Sequence, residues 1–444
     1  MSTTSQNNTP IMGAVASEVE KETYYHGLLP REDVRLILES NGDFLVRSSE
    51  PKAGEPRSYI LSVMWNNQLE DLNALKHFVI NTGQGKFWIT TTVSFDTISA
   101  MINNYLSTKA EILDGVKIVK PVGRQYWELF QDQIKIEKKL GEGAFGEVSM
   151  GVMTFPKSKS KKSIPVAVKQ AKLEKMGKEQ IKDFMNEARS MRKLGHQNVV
   201  KFYGVAVLQE PLYLVMELAS NGALDSYLKK TENISAATLN EMLLQAAWGL
   251  EYLHGKPMLH RDIAARNCLY GDGKVKISDF GLTRTGTFYQ MRGSSKVPIR
   301  WLAVETLKTF IYTQKTDVWS YGILAWEIYN AGAEPYPGMS VAEVATGVQA
   351  GFRMQLPPHV NPEIQALIAR CNSDNPNDRP TMGDIAVILQ RITAIARPNF
   401  AEIAKKEAAE LLMLNDPVRV KAATQRRKKS VGGGRGHLPK GMHR

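Results

Sequence analysis

At 444 residues the chain is too long for one compact core and has room for two or three domains. Hydrophobic residues make up 43% and charged residues 23%, the proportions of a folded protein rather than a disordered one. Only two cysteines are present, Cys268 and Cys371, which excludes a disulfide-stapled scaffold and fits a reducing compartment. No apolar run approaches the roughly 18 residues needed to cross a bilayer. The first residues lack the basic and apolar regions of a signal peptide, and Ser2 stands where N-myristoylation needs glycine. A cytoplasmic protein is therefore expected.

The net charge of +12 invites a nucleic-acid reading, so its location matters. Nine Lys or Arg and no acid lie between Pro417 and Arg444, and four lysines lie at 157, 159, 161 and 162, which leaves −1 for everything else. The globular body is close to neutral and the basicity sits in two segments. The expected partner of the tail is an acidic surface, membrane lipid or protein, rather than nucleic acid; peripheral attachment at the plasma membrane follows from that. The competing reading is a nucleic-acid binder working through the tail.

In chain order, residues 1–22 are polar and without periodicity and read as a disordered leader. Residues 23–121 form a small mixed domain. A helix is expected over Arg31–Ser40, with Val34, Leu36, Ile37 and Leu38 as its apolar positions, then strands at Gly42–Arg47, Tyr59–Met64, His77–Ile80 and Lys86–Ile89, then a helix over Phe95–Leu106. This is an α+β sandwich, a central antiparallel sheet flanked by two helices. Residues 122–394 form a larger domain. Its first part is strand-rich (Ile134–Leu140, Val148–Met153, Val166–Lys169, Leu212–Glu217) with one helix, Lys178–Leu194, and its remainder is helical, as at Ala236–His254 and Asp317–Tyr329. A strand-rich lobe followed by a helical lobe implies a cleft. Residues 395–416 hold one more helix, over Phe400–Leu414, and 417–444 form a basic disordered tail.

Several groups of residues carry chemistry. Gly141-Glu142-Gly143-Ala144-Phe145-Gly146 is a GxGxxG, whose other meaning is a dinucleotide-binding turn opening a helix. Here strands flank it on both sides, which fits a hairpin lid over nucleotide phosphates. Lys169 closes an apolar strand, where an ammonium needs a partner; Glu187 on the following helix offers one. His260-Arg261-Asp262 with Asn267 five residues on, and then Asp279-Phe280-Gly281, supply a proton acceptor and two cation ligands at the spacing used for phosphoryl transfer. In the small domain, Arg47 lies among apolar neighbours, where it is costly unless it meets an anion; its fork matches phosphate, the competing reading being a local carboxylate.

With these motifs in order, residues 127–394 resemble a protein kinase. Ala264-Ala265-Arg266 after Asp262, and Lys296–Trp301 before Ala303-Val304-Glu305, resemble the tyrosine-specific branch. The resemblance implies a bilobal fold with a β-rich N-lobe and α-helical C-lobe, ATP and Mg²⁺ as cofactors, and transfer of the γ-phosphate to tyrosine of protein substrates. It assigns Asp262, Arg266, Asn267, Lys169 and Glu187 to catalysis. Leu140, Gly141, Glu142, Gly143, Ala144, Phe145, Gly146, Val148, Ala167, Lys169, Met216, Glu217, Ala219 and Leu269 are assigned to the nucleotide, and Asn267 and Asp279 to the metal. Tyr25-His26-Gly27 followed by Phe44–Ser49 resembles an SH2 domain, which implies binding to phosphotyrosine proteins through Arg31, Arg47, Ser48, Ser49 and His77. The pair of domains, with no SH3 domain, most resembles the Fes/Fer group.

Departures from the two patterns are Tyr24 and Val79 in the small domain, the latter where many relatives place a phosphate-facing lysine, and Val304 and Asn372 in the large one. Glu305 is retained and implies a structural bridge to Arg379. The competing function is a catalytically silent phosphotyrosine-binding adaptor, but Lys169, Asp262, Asn267 and Asp279 are all present. Tyr289, in the polar segment Thr283–Ser295 with little apolar surface to order it, is expected to be autophosphorylated and to pair with Arg261 and Arg284.

Overall fold

The computed structural model describes residues 16–49, 57–143, 146–155, 162–171, 178–291 and 297–415. Ala144, Phe145, the lysines at 157, 159 and 161, residues 292–296 and the basic tail lie outside the described residues. The chain divides into two compact units, one built from the described residues of 1–153, 168–189 and 204–215 and the other from 154–167, 190–203 and 216–444.

The first unit begins with a helical turn, α1 (Ala16–Val19). Val19 is buried in the same core as Tyr24 and Tyr25, so the described end of the stretch expected to be a disordered leader is part of the folded domain. Helix α2 (Arg31–Ile37) ends short of the expected Ser40 because the backbone turns extended at Leu38. Strands β1 (Asp43–Ser49), β2 (Ser58–Met64), β3 (Leu75–Gly83), β4 (Lys86–Trp88) and β5 (Lys120–Pro121) form a sheet in the order β4-β3-β2-β1-β5, antiparallel except for β5. Phe44 and Val46 face Val63 and Leu61 in register and pack with Ile98, Met101, Ile102 and Tyr105 of helix α3 (Ile98–Thr108). The strand's period of two sends Leu45 and Arg47 to the other face, which is also buried. Thr97 caps α3 by accepting from the Ala100 N–H.

A second five-stranded sheet contains β6 (Ile134–Gly143), β7 (Gly146–Thr154), β8 (Ser163–Ala171), β9 (Phe202–Ala206) and β10 (Leu212–Glu217), in the order β6-β7-β8-β10-β9. The short β9, absent from the sequence reading, follows the helix α4 (Lys178–Arg192). The sequence that joins the two sheets is fixed within the first unit. Nδ1 of the buried His26 lies 2.8 Å from Oε1 of the buried Glu128, its Nε2 is 2.9 Å from the carbonyl of Val122, and Arg124 donates to the carbonyls of Glu22 and Tyr25.

The second unit is mainly helical: α5 (Leu224–Lys230), α6 (Ala236–Gly255), α7 (Val304–Thr309), α8 (Gln314–Tyr329), α9 (Val341–Gln349), α10 (Pro362–Cys371), α11 (Met382–Thr393) and α12 (Phe400–Asn415). Every residue of α8 from Thr316 to Tyr329 is buried, as expected of a helix apolar all round. Short strands β11 (Met258–Leu259) and β14 (Arg284–Thr285) pair, as do β12 (Cys268–Gly271) with β13 (Lys274–Ile277) and β15 (Phe288–Gln290) with β16 (Ile311–Thr313). Arg379, 1% exposed, grips Glu305 through two bonds of 2.7 Å. Beyond α11, the ring of Phe400 lies 4.1 Å from that of His196 and 5.4 Å from that of Trp248 between centroids, and Glu407 pairs with Lys201 at 3.3 Å.

Candidate functional site

Within the first unit, β6 and β7 are a hairpin, with Gly141 opposite Val148 and Gly143 opposite Gly146. This is the strand–glycine–strand form, not the strand–helix turn of a dinucleotide site. At Gly146 the backbone has φ +150°, and a Cβ there would sit 2.5 Å from the Gln170 carbonyl, so the position requires glycine. Leu140 is exposed, Val148 is half-buried, and the carboxylate of Glu142 is taken by Lys139 at 2.9 Å.

Lys169 on β8 is 5% exposed and its ammonium lies 2.8 and 3.0 Å from the two oxygens of Glu187 on α4, itself buried. A buried ammonium is costly without such a partner, and a pair this tight fixes the helix relative to the strand.

In the second unit the loop after β11 carries Asp262, Arg266 and Asn267. Asp317, in the first turn of α8, holds it: its two oxygens accept the backbone N–H groups of His260 and Arg261, each at 2.9 Å. Arg261 sits at φ +70° and Asp279 at φ +59°, backbone conformations unfavourable for side chains with a Cβ and held here by surrounding bonds. Asn267 spends its amide N–H on the Asp262 carbonyl at 2.8 Å, which leaves its side-chain oxygen for a cation. Arg266 donates to the Asp262 carboxylate and lies over the Trp301 ring at 4.0 Å. The link from Asn267 to Asp279 runs through Ser278, whose N–H and hydroxyl both donate to the Asn267 carbonyl at 2.8 Å, while its own carbonyl is 3.0 Å from His260 Nε2. The Asp279 carboxylate is exposed, with Oδ1 accepting from the Gly281 N–H at 3.2 Å. Two oxygen donors of this kind, one amide and one carboxylate, fit a hard divalent ion that takes its remaining ligands from phosphate and water.

Of the residues expected to meet the nucleotide base, Met216, Ala219 and Leu269 are half-buried and Ala167 is buried. Glu217 is engaged structurally: its carboxylate pairs with Lys276 at 3.0 Å and accepts from the Lys201 N–H at 3.2 Å.

The other cluster lies in the first unit, around a cavity of about 460 Å³ whose lining includes Arg31, Arg47, Ser48, Ser49 and His77. Arg47 is 2% exposed; its guanidinium donates to the Ser62 hydroxyl at 3.1 Å and the Leu29 carbonyl at 3.2 Å. Among the described residues no carboxylate pairs with it, so the local-carboxylate reading fails. Arg47 Nη2 and His77 Nε2 are buried polar atoms without partners, and both could bond an anion's oxygens. Burial, with Arg31 adding to it, pulls the Arg47 guanidinium down to about 10. Burial, reinforced by Arg47 and Arg31, pushes the His77 imidazole down to about 3. A phosphate would relieve both. Val79 is 39% exposed on the cavity wall.

Tyr289 is half-buried on β15, opposite Tyr312. The expectation of a segment with little to order it does not hold over its described part: β14 and β15 each have a partner strand, and Tyr289 and Met291 join an apolar cluster with Leu259, Leu302 and Tyr312. Sequence reading missed Asp317 and Glu327. The available signal was an acid in the first turn of a buried helix and another in its apolar run. Glu327 is 3% exposed and accepts from the Ala265 N–H at 2.9 Å and the Trp301 indole N–H at 3.0 Å, yet burial pushes its carboxyl up to about 7.

The family described as protein tyrosine and serine/threonine kinase matches residues 134–389, and the SH2 domain family matches residues 24–105. Fer-related kinase 1 of Caenorhabditis elegans is 38% identical over 379 residues, covering 84% of this chain and 94% of that protein. Tyrosine-protein kinase Fer of Rattus norvegicus is 36% identical over 381 residues, covering 84% of this chain but 44% of its own length. The tyrosine-protein kinase transforming protein Fps of avian sarcoma virus (strain PRCII) is 33% identical over 383 residues, 85% of this chain and 68% of its own.

Proposed function

Because the chain belongs to the Fer/Fps group of non-receptor tyrosine kinases with an SH2 domain, we propose that transfer from ATP to protein tyrosine is carried by Lys169, Glu187, Asp262, Arg266, Asn267 and Asp279. A kinase of this family uses ATP and a divalent metal; we take the metal to be Mg²⁺. The Lys169–Glu187 pair, buried and bonded at 2.8 Å, is the observation that most supports an active enzyme over a silent adaptor.

In this reading Lys169 holds the nucleotide's α/β-phosphates and Glu187 holds Lys169. Asn267 and Asp279 would hold the divalent ion, which would supply neutralisation of phosphate charge. Asp262 accepts the proton of the substrate hydroxyl as its oxygen bonds to the γ-phosphorus and the bond from that phosphorus to the bridging oxygen breaks, ADP leaving with those electrons, and Arg266 keeps the Asp262 carboxylate oriented. By their places in the family's motifs, Leu140, Val148, Ala167, Met216, Ala219 and Leu269 are assigned to the adenine and the glycine hairpin to the phosphates. Arg47, with Arg31, Ser48, Ser49 and His77, receives phosphotyrosine of partner proteins. No described helix is long and apolar enough to cross a membrane; a cytoplasmic location with the tail drawn to acidic surfaces completes the proposal.

The assay is transfer of labelled γ-phosphate to a tyrosine polymer by the full chain, with Lys169→Arg and Asp279→Asn as variants. Lys169→Arg displaces a preorganised cation and Asp279→Asn removes a preorganised anion; losing such a group at a transferring phosphoryl group costs about two to three orders of magnitude, so both variants should fall by at least that much while keeping their thermal transitions. Transfer by either within a few-fold of the parent would overturn the residue roles. No transfer by the parent would favour the adaptor.

A further inference from the structure

The cavity around Arg47 is not walled by the SH2 domain alone. Ile181 and Lys182 of α4, both half-buried, line it together with Arg31 and Glu32 of α2. The two helices are clamped in one unit by Arg189 of α4, which grips the buried Asp33 of α2 through bonds of 2.7 and 3.1 Å. This bidentate bond, far from water at its carboxylate end, holds the α4 side chains against the cavity mouth.

Lys182 has only a weak commitment elsewhere. Its ammonium meets Glu179 one turn earlier at 2.9 Å, and that carboxylate is 80% exposed, so the pair adds little and is readily exchanged for a better anion. The side chain of Lys182 is itself 41% exposed. The opposite wall offers no cation at Val79, an exposed valine. The positive charge lining the cavity besides Arg47 therefore comes from Arg31, Lys182 and Arg57, the last paired with Glu210 at 3.0 Å, and is opposed by Glu32.

Resting on the phosphotyrosine reading of the Arg47 cavity, we propose that Lys182 of the kinase helix is a specificity-determining residue of the phosphopeptide site, selecting phosphotyrosine peptides with a carboxylate beside the phosphotyrosine. The phosphate enters toward Arg47 and its unpartnered Nη2. The peptide leaving the cavity passes the rim where Lys182 stands, and an acidic flank there replaces Glu179 as the lysine's partner. The site is composite: one domain reads the phosphate, a helix of the next reads the neighbouring charge.

The test uses the full chain without nucleotide and fluorescence anisotropy with matched phosphotyrosine peptides, Glu or Gln at the flanking positions. The parent should bind the Glu peptide about three- to fivefold more tightly, the size of a rim ion pair, and the preference should shrink as salt rises. Lys182→Gln should bring the two peptides within twofold of each other, weakening the Glu peptide more than the Gln peptide, and Lys182→Glu should reverse the preference. An unchanged preference in both variants, or a parent indifferent to the flank, would overturn the proposal. Arg47→Lys separates the underlying reading: it should weaken both peptides by about tenfold or more. If it binds both as the parent does, the phosphotyrosine site itself is wrong.

Discussion

The guanidinium of Arg261 lies 4.3 Å from the centroid of the Tyr289 ring. Arg284 approaches the same ring at 5.4 Å, and Arg261 Nε is buried without a partner. Arg261 thus has two roles in one position. Its Nη1 closes the loop onto the Leu282 carbonyl at 2.9 Å, and its face covers an aromatic ring whose hydroxyl can be modified.

Phosphate at Tyr289 would add about −1.5 to −2 charge and three acceptors beside these two cations. We expect autophosphorylation in trans at Tyr289 when the protein is incubated with ATP and divalent metal, read by mass spectrometry. Tyr289→Phe keeps the ring and its stacking but removes the acceptor, so peptide phosphorylation should drop several-fold with ATP binding unchanged. Stoichiometric phosphate elsewhere with none at Tyr289, or full activity in the variant, would contradict this.

Glu327 sets a pH dependence. Its carboxyl is raised in the fold to about 7 by burial, so the native state holds a proton there that the unfolded chain has released above the ordinary carboxyl range. The contribution is fully present at low pH and is lost as pH rises through about 7. Glu327→Gln keeps an acceptor for Ala265 and Trp301 but does not titrate. Chemical denaturation at several pH values from 5 to 8 should show the parent's stability sloping downward more steeply than the variant's; parallel slopes would refute the assignment.

The kinase match ends at residue 389, yet folding continues to α12. Arg397 pairs with Glu251 at 2.8 Å, Phe400 covers His196 and Trp248, and Glu407 reaches Lys201. A chain stopped after Ala394 should lose about 1–2 kcal/mol of aromatic burial, lowering Tm by about 2–8 °C relative to one stopped after Asn415. Differential scanning fluorimetry of the two truncations checks it; identical curves would show α12 to be idle.

What the sequence made legible was the local placement of residues held at short, fixed spacing. Asp262 and Asn267 lie on one tight loop, and Asp279 follows on the strand pair that the loop opens, so their order along the chain is also their order in space. The SH2 strands were legible because alternation places Phe44 and Val46 in the core and Arg47 away from it. Long-range partners left no such trace. Asp33 and Arg189 are 156 residues apart and Asp317 is 57 from His260, and each acid looks like any surface acid until the chain is folded. The same blindness explains Tyr289: its segment is polar by composition, but the apolar surface that orders it comes from Tyr312 and Leu302, after the segment has ended.

Asp317 fastens the catalytic loop to the most deeply buried helix of its unit, and this carries over to a different observable, the lifetime of amide hydrogens. The N–H groups of His260 and Arg261 are bonded to a side chain of α8, so solvent reaches them only when that helix itself opens. Their deuterium uptake should keep pace with the centre of α8, hours or longer, while the Gly281 amide, bonded to the exposed Asp279 carboxylate, should exchange far sooner. Fast exchange at His260 and Arg261 would mean the loop breathes independently of the helix. The contrast would separate two neighbouring segments: the loop that carries Asp262 and Asn267, tied to the buried α8, and the segment of Asp279, whose amide bond lies at the surface.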